Sequence, residues 1–316
     1  MQFHTSIPIS KSSFPIDYDS KIVSLGSCFA VNMGERFDYF KFQNSVNPFG
    51  ILFHPLALEK MVRLALQQKI FDISDIFFHN ETWHHFDMHS DLNHRDPQLM
   101  LDQLNARVLL ANETIQSATH LILTLGTAWI YKTADSNLAV ANCHKLPQNH
   151  FRKELLSVEA IRESLSRMLS MIFEANPKIQ IILTISPVRH IKDGFVENQW
   201  SKANLISAVH ELLSQKPENT HYFASYEIMM DELRDYRFYA DDMIHPNKTA
   251  VNYIWKRFSE TWISESAQAL MPKIQNIQKG LAHRPFNPES ESHQQFLSKL
   301  QSDIGTLQKQ FPHLDF

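Results

Sequence analysis

Four short apolar runs, "KIVSL" (21–25), "HLILTL" (120–125), "IQIILTI" (179–185) and "THYFASY" (220–226), constrain the fold more tightly than any other feature of the chain. Each is rich in branched or aromatic residues and nearly continuous rather than alternating. Strands apolar along their whole length are buried on both faces, as in a parallel sheet covered by helices. Helical patterns lie between and after them, at 55–69, 157–176, 197–216 and 247–266. The first opens on Pro55; the second has Ser157 as N-cap and an apolar stripe at helical spacing. This alternation predicts an α/β fold, a three-layer α/β/α sandwich with a mostly parallel sheet. Residues 264–316 contain no strand pattern and read as two amphipathic helices parted by "AHRPFNPES". They are expected to form a C-terminal helical appendage or a homo-oligomer contact, dividing the chain into 1–263 and 264–316.

Composition narrows the setting. A net charge of −4 without a basic tract gives no sign of a nucleic-acid or membrane-surface partner. The first twenty residues lack a basic region and a continuous apolar core, so no secretory signal is expected. No apolar run approaches the ~18 residues that span a bilayer. Two cysteines far apart, Cys28 and Cys143, suit a reducing cytoplasm and make no disulfide framework. Glycine is scarce: average usage would give roughly 22, and the chain has seven. Three of the seven, Gly26, Gly50 and Gly126, stand where apolar runs stop. Such glycines mark a positive φ or a close approach to the backbone.

In an open parallel sheet, ligands bind beyond the carboxyl ends of the strands. The residues there are Ser27 and Cys28 after the first run, Gly126 and Thr127 after the second, Ser186 to His190 after the third, and Asp242 and His245 beyond the fourth. A serine hydroxyl needs an imidazole to take its proton and a carboxylate to fix that imidazole. The spacing of Asp242 and His245 lets the carboxylate reach Nδ1 while Nε2 faces the serine, with Pro246 constraining the start of the next helix.

The pentapeptide "GSCFA" (26–30) and the blocks "NPFGILFHP" (47–55), "LTLGTAWIY" (123–131), "VANCHKLP" (140–147), "ISPVRHIKDG" (185–194), "SYEIMMDELRDYRFYADDMIHP" (225–246) and "HRPF" (283–286) resemble bacterial proteins of the GSCFA domain family, which is grouped with the SGNH or GDSL-like hydrolases. The resemblance implies an SGNH-like, flavodoxin-like sandwich with Ser27 as nucleophile, His245 as general base and Asp242 as its partner. It implies an oxyanion hole from the N–H groups of Ser27 and Gly50 and an asparagine in a third block. That block here reads Gly126-Thr127-Ala128, whose alanine has no side-chain donor, so Thr127, Asn142 or Asn47 is the candidate replacement.

Other positions take lesser roles. Cys28 is expected to pack rather than attack. His89 is expected to border the cleft, and Arg189 and His190 to hold an anionic or hydroxyl-rich substrate, unless Arg189 pairs with a carboxylate of 231–242. His85 and His89 would share a helix face, as zinc ligands do, but lack a His-Glu-x-x-His signature, so no metal and no cofactor are expected. Cys143 and His144 read as structural, and Trp129 and Tyr131 as pocket lining or core. The expected function is a serine esterase acting on a small-molecule or glycan ester, an O-acylated carbohydrate at family level. The alternatives are an O-acyltransferase and a binding or scaffold protein without turnover.

Overall fold

The computed structural model describes residues 5–215 and 217–316. The chain runs β1 (Lys21–Gly26), α1 (Cys28–Tyr39), β2 (Gln43–Val46), α2 (Pro55–Leu66), β3 (Phe77–His79), β4 (Thr82–His84) and α3 (Pro97–Ser117). It continues with β5 (His120–Leu125), β6 (Trp129–Thr133), β7 (Ala139–Val140), β8 (Phe151–Leu155), α4 (Val158–Ala175), β9 (Gln180–Ile185), α5 (Phe195–Ser214) and β10 (Thr220–Phe223). A short turn α6 (Ser225–Glu227) precedes α7 (Lys248–Trp262), α8 (Glu265–Leu281) and α9 (Glu291–Gln310).

Five strands form one parallel sheet in the order β2-β1-β5-β9-β10. Alternate residues feed opposite layers. Val23, Leu25, Leu121, Leu123, Ile181 and Leu183 meet α2 to α5, while Ile22, Ile122 and Ile182 meet α1, α7, α8 and α9. Both faces are covered, which explains why the strands are apolar without alternation. The helices α8 and α9 send Ile274, Ile277, Leu300, Ile304 and Leu307 into the same cluster as Phe37, Trp255 and Phe258.

The order of the strands places a reversal between β1 and β5: from β1 the sheet grows to β2 on one side and to β5, β9 and β10 on the other. Such a switch point opens a crevice at the carboxyl ends. Two antiparallel additions stand beside it, the hairpin β3–β4 and the sheet β7-β6-β8.

Three expectations change. The run 220–226 is strand only to Phe223, because Ser225 Oγ donates to Ile185 O (2.7 Å) and the chain turns into α6. The pattern at 247–266 is two helices: α7 ends at Trp262, and Ser264 caps α8 by accepting the Ala267 N–H. His85 and His89 share no helix face, since His85 follows β4 and His89 caps a short 3₁₀ turn at Ser90–Leu92.

Candidate active site

The site starts from a glycine. Gly26 ends β1 at φ +131°, and a Cβ there would lie 2.0 Å from Thr124 O, so no other residue fits without moving β5. The chain turns at Ser27, whose extended backbone makes it the N-cap of α1, and Ser27 Oγ accepts the Phe29 N–H at 3.3 Å. Ser27 therefore sits at the switch point, at the positive end of a helix, and it is fully buried. Gly126, at the end of the neighbouring strand, leaves the room the serine needs. A Cβ on it would stand 3.1 Å from Phe53 O and 3.3 Å from both His190 Nε2 and Ser27 Cβ.

Asp242 and His245 lie on the loop between α6 and α7. Asp242 Oδ2 bonds His245 Nδ1 at 2.6 Å, and Asp242 Oδ1 accepts the N–H of Ile244 (2.8 Å) and of His245 (3.0 Å). These bonds, those of His245 foremost, draw the Asp242 carboxyl down to about 2. The aspartate favours the proton on Nδ1, which leaves the Nε2 lone pair free to accept a proton. The loop itself is pinned from two sides. Asn247 Nδ2 donates to Arg237 O and Tyr239 O while its Oδ1 caps α7. Arg189 donates its N–H to Ile244 O (3.1 Å) and Nη1 to Met243 O (3.0 Å), with its guanidinium against Tyr236 and Tyr239. Among the described residues Arg189 has no carboxylate partner; it braces the loop through carbonyls and rings.

Ser27 Oγ is not hydrogen-bonded to His245 among the described residues, and the two are linked only through neighbouring residues. The charge of Asp242 reaches the Cys28 thiol, and His245 acts on His190, which lies against Ser27 through Gly126. Catalytic hydrogen bonds are often open without substrate. Burial pushes the Cys28 thiol up, against a weaker opposing pull from Lys202. A thiol so raised is not an activated nucleophile.

The expected oxyanion donors carry internal bonds. Ser27 N–H donates to Thr124 O (3.0 Å), Gly50 N–H to Asn47 O (2.8 Å) and Gly126 N–H to Phe53 O (2.8 Å). Thr127 Oγ1 is taken by Ser201 Oγ (3.0 Å) and the Trp129 N–H (3.0 Å); Asn142 accepts the His144 N–H through Oδ1 (2.9 Å), a bond that does not use its Nδ2. Asn47 Oδ1 accepts the Gly26 N–H at 2.8 Å, and its Nδ2 is buried beside the turn with no partner among the described residues.

One buried residue beside the candidate site escaped the sequence reading. Lys202 on α5 is 1% exposed, and its Nζ donates to Gly126 O (2.7 Å) and Ser186 O (2.8 Å), tying the ends of β5 and β9 together under the site. Burial lowers it to about 7. The sequence carried a sign of it: Lys202 falls on the buried stripe of α5 with Asn198, Leu205 and Val209.

Beyond Gly126 opens a cleft of about 510 Å³, walled by Phe53, Trp129, Tyr131, Asn142, His190 and Lys192. His89 and Thr127 reach it; Ser27, Asp242 and His245 do not line it. The histidines around it are mostly structural. His54 caps α2 through Nδ1 and meets Val140 O through Nε2, His84 meets His144, and His144 meets His85 O. Among the described residues no group of three or more His, Cys, Asp or Glu converges as metal ligands. No helix among the described residues is long and apolar enough to cross a membrane.

Residues 21–258 match the model of the GSCFA family, and residues 274–316 that of the GSCFA domain protein, C-terminal domain. One similar solved structure is a carbohydrate esterase family 3 protein from Talaromyces cellulolyticus, 13% identical over 53% of this chain and 67% of that one, TM-score 0.28. Another is an acetyl xylan esterase from the rumen bacterium Butyrivibrio proteoclasticus, 12% identical over 85% of this chain and 66% of that one, TM-score 0.33. The chain thus spans about two thirds of the length of each. No curated protein matches it. With its family model matched from the first strand of the sheet through most of α7, and the signature turn at Ser27 built as a strand-to-helix elbow, the chain belongs to the GSCFA family.

Proposed function

We propose that the protein is a carboxylic ester hydrolase using Ser27, His245 and Asp242. The observation that carries the reading is the Asp242–His245 pair, closed at 2.6 Å on a braced loop beyond the sheet end where Ser27 caps α1. Ser27 Oγ attacks the ester carbonyl, and His245 Nε2 takes the serine proton. Asp242 steadies the imidazolium. The alcohol leaves with that proton, and water repeats the sequence on the acyl-serine. The same steps serve an O-acyltransferase when a second alcohol replaces water.

The cleft suggests the alcohol. Aromatic walls from Trp129 and Tyr131 beside Asn142 and Lys192 suit a hydroxyl-rich ring, so an O-acylated carbohydrate is the proposed substrate class. Binding without turnover is the second reading, favoured by the complete burial of Ser27 and the internal bonds of Ser27 N–H and Gly50 N–H.

Hydrolysis of p-nitrophenyl acetate separates the two. The esterase reading expects turnover that rises with pH as one imidazole loses its proton, and that is lost in Ser27→Ala and His245→Ala. A folded wild type without turnover, or a Ser27→Ala variant as active as wild type, contradicts it.

A further inference from the structure

Among the described residues, two buried nitrogen atoms beside the Gly26–Ser27 turn have no hydrogen-bond partner, Asn47 Nδ2 and His190 Nε2. Buried polar atoms are overwhelmingly hydrogen-bonded, so unpaired ones at a site call for an explanation. Asn47 is oriented by the Gly26 N–H, which requires its oxygen toward the turn and so sets the position of its nitrogen. His190 is held just as firmly. Its N–H donates to Asn198 Oδ1 at 2.8 Å, and its ring stands edge-on to Phe53, with centroids 5.7 Å apart. Its Nε2 and the Ser27 Cβ flank one spot over Gly126, each 3.3 Å from where a Cβ on that glycine would stand.

We propose that His190 donates a hydrogen bond from its Nε2–H to the oxyanion formed when Ser27 attacks an ester carbonyl, with the Asn47 amide on the same turn. The role rests on the serine-esterase reading and supplies what that reading lacks. Ala128 has no side-chain donor and gives its own N–H to Ser201 Oγ (2.7 Å), and Thr127 Oγ1 is committed. The step leaves His190 unchanged: a bond forms from Ser27 Oγ to the carbonyl carbon, the π pair moves onto oxygen, and the serine proton goes to His245 Nε2. Collapse restores the carbonyl, breaks the bond to the alcohol and returns that proton to the leaving oxygen.

The surroundings of His190 fit a donor and not a base. Burial, then Lys202 and His245, lower it to about 3, so the ring stays neutral at working pH with one N–H to give. A base so weak does not compete with His245 for the serine proton.

The test compares p-nitrophenyl acetate turnover by wild type, His190→Ala and His190→Gln, with circular dichroism as the check of folding. Loss of one oxyanion donor predicts a fall in kcat of about 10²–10³-fold in His190→Ala with KM little moved. His190→Gln, whose amide nitrogen can donate, is expected to regain at least about tenfold of it. The imidazole limb of the pH profile stays where it is. Turnover by His190→Ala within about threefold of wild type overturns the role. So does a folded His190→Gln that turns over no faster than a folded His190→Ala, or loss of the imidazole limb in His190→Gln. If His190→Ala fails to fold, His190→Gln carries the test alone: retention of measurable turnover within about 10²-fold of wild type supports a donor, and a folded, inactive variant overturns it. A wild type that neither turns over ester nor forms a fluorophosphonate adduct overturns the serine-esterase reading itself, and this role with it.

Discussion

At the scale of single residues, the carboxylate of Asp242 is the easiest to test. Its hydrogen bonds hold it near 2, below its ordinary value. A depressed carboxylate contributes fully above its unfolded value near 4 and loses that contribution as pH falls through about 2. Asp242 therefore adds no ionisation to a rate profile measured above about pH 4. Asp242→Asn removes both the charge and the tautomer, and kcat for p-nitrophenyl acetate is expected to fall about 10³–10⁴-fold with the protein still folded.

Lys202 reads in the opposite direction. Its pKa falls from 10.5 to about 7 on burial, so the unfolded chain binds more protons between those values. Its contribution to stability therefore rises with pH from about 7 to about 10.5. Urea midpoints of wild type minus Lys202→Met are expected to climb across that range. A difference independent of pH contradicts the burial argument. As a positioning residue under Gly126 and Ser186, Lys202 should also affect kcat more than KM.

Between elements, the wall of the cleft decides access. Ser27 is buried, and Phe53 stands beside its neighbour Gly126: its carbonyl takes the N–H groups of Gly126 and Thr127 and its ring meets His190. Phe53→Ala is expected to speed phosphonylation of Ser27 by a fluorophosphonate several-fold; a slower or equal rate means the ring does not gate it. The elbow at Ser27 was legible in the sequence because a glycine after an apolar run has few other uses, and Asp242–His245 because both fall beyond a strand. The wall was legible only in single residues such as Trp129 and Tyr131, not as strands. Strands β3, β4, β6, β7 and β8 are two to five residues long and mostly half-buried, too short to carry a period. The roles of the histidines of 79–94 were not legible either: the structure uses His84 and His89 as hydrogen-bond links and a cap.

Across the whole molecule, the sheet order was beyond the sequence, because pairing depends on contacts between distant runs, yet it is what sets Ser27 and Gly126 side by side at the switch point. The tail belongs to the same body of packing: Leu307 is buried in the cluster that backs α1. Leu307→Ala should cost about 2–5 kcal/mol in urea unfolding. A cost near zero would mean that α9 does not hold that face.

The central claim is that Ser27 is an activated nucleophile, and intact-protein mass after exposure to a fluorophosphonate tests it most directly. The account predicts one adduct on wild type and on Cys28→Ala, and none on Ser27→Ala. An adduct that survives in Ser27→Ala, or no adduct on any folded form, would contradict it.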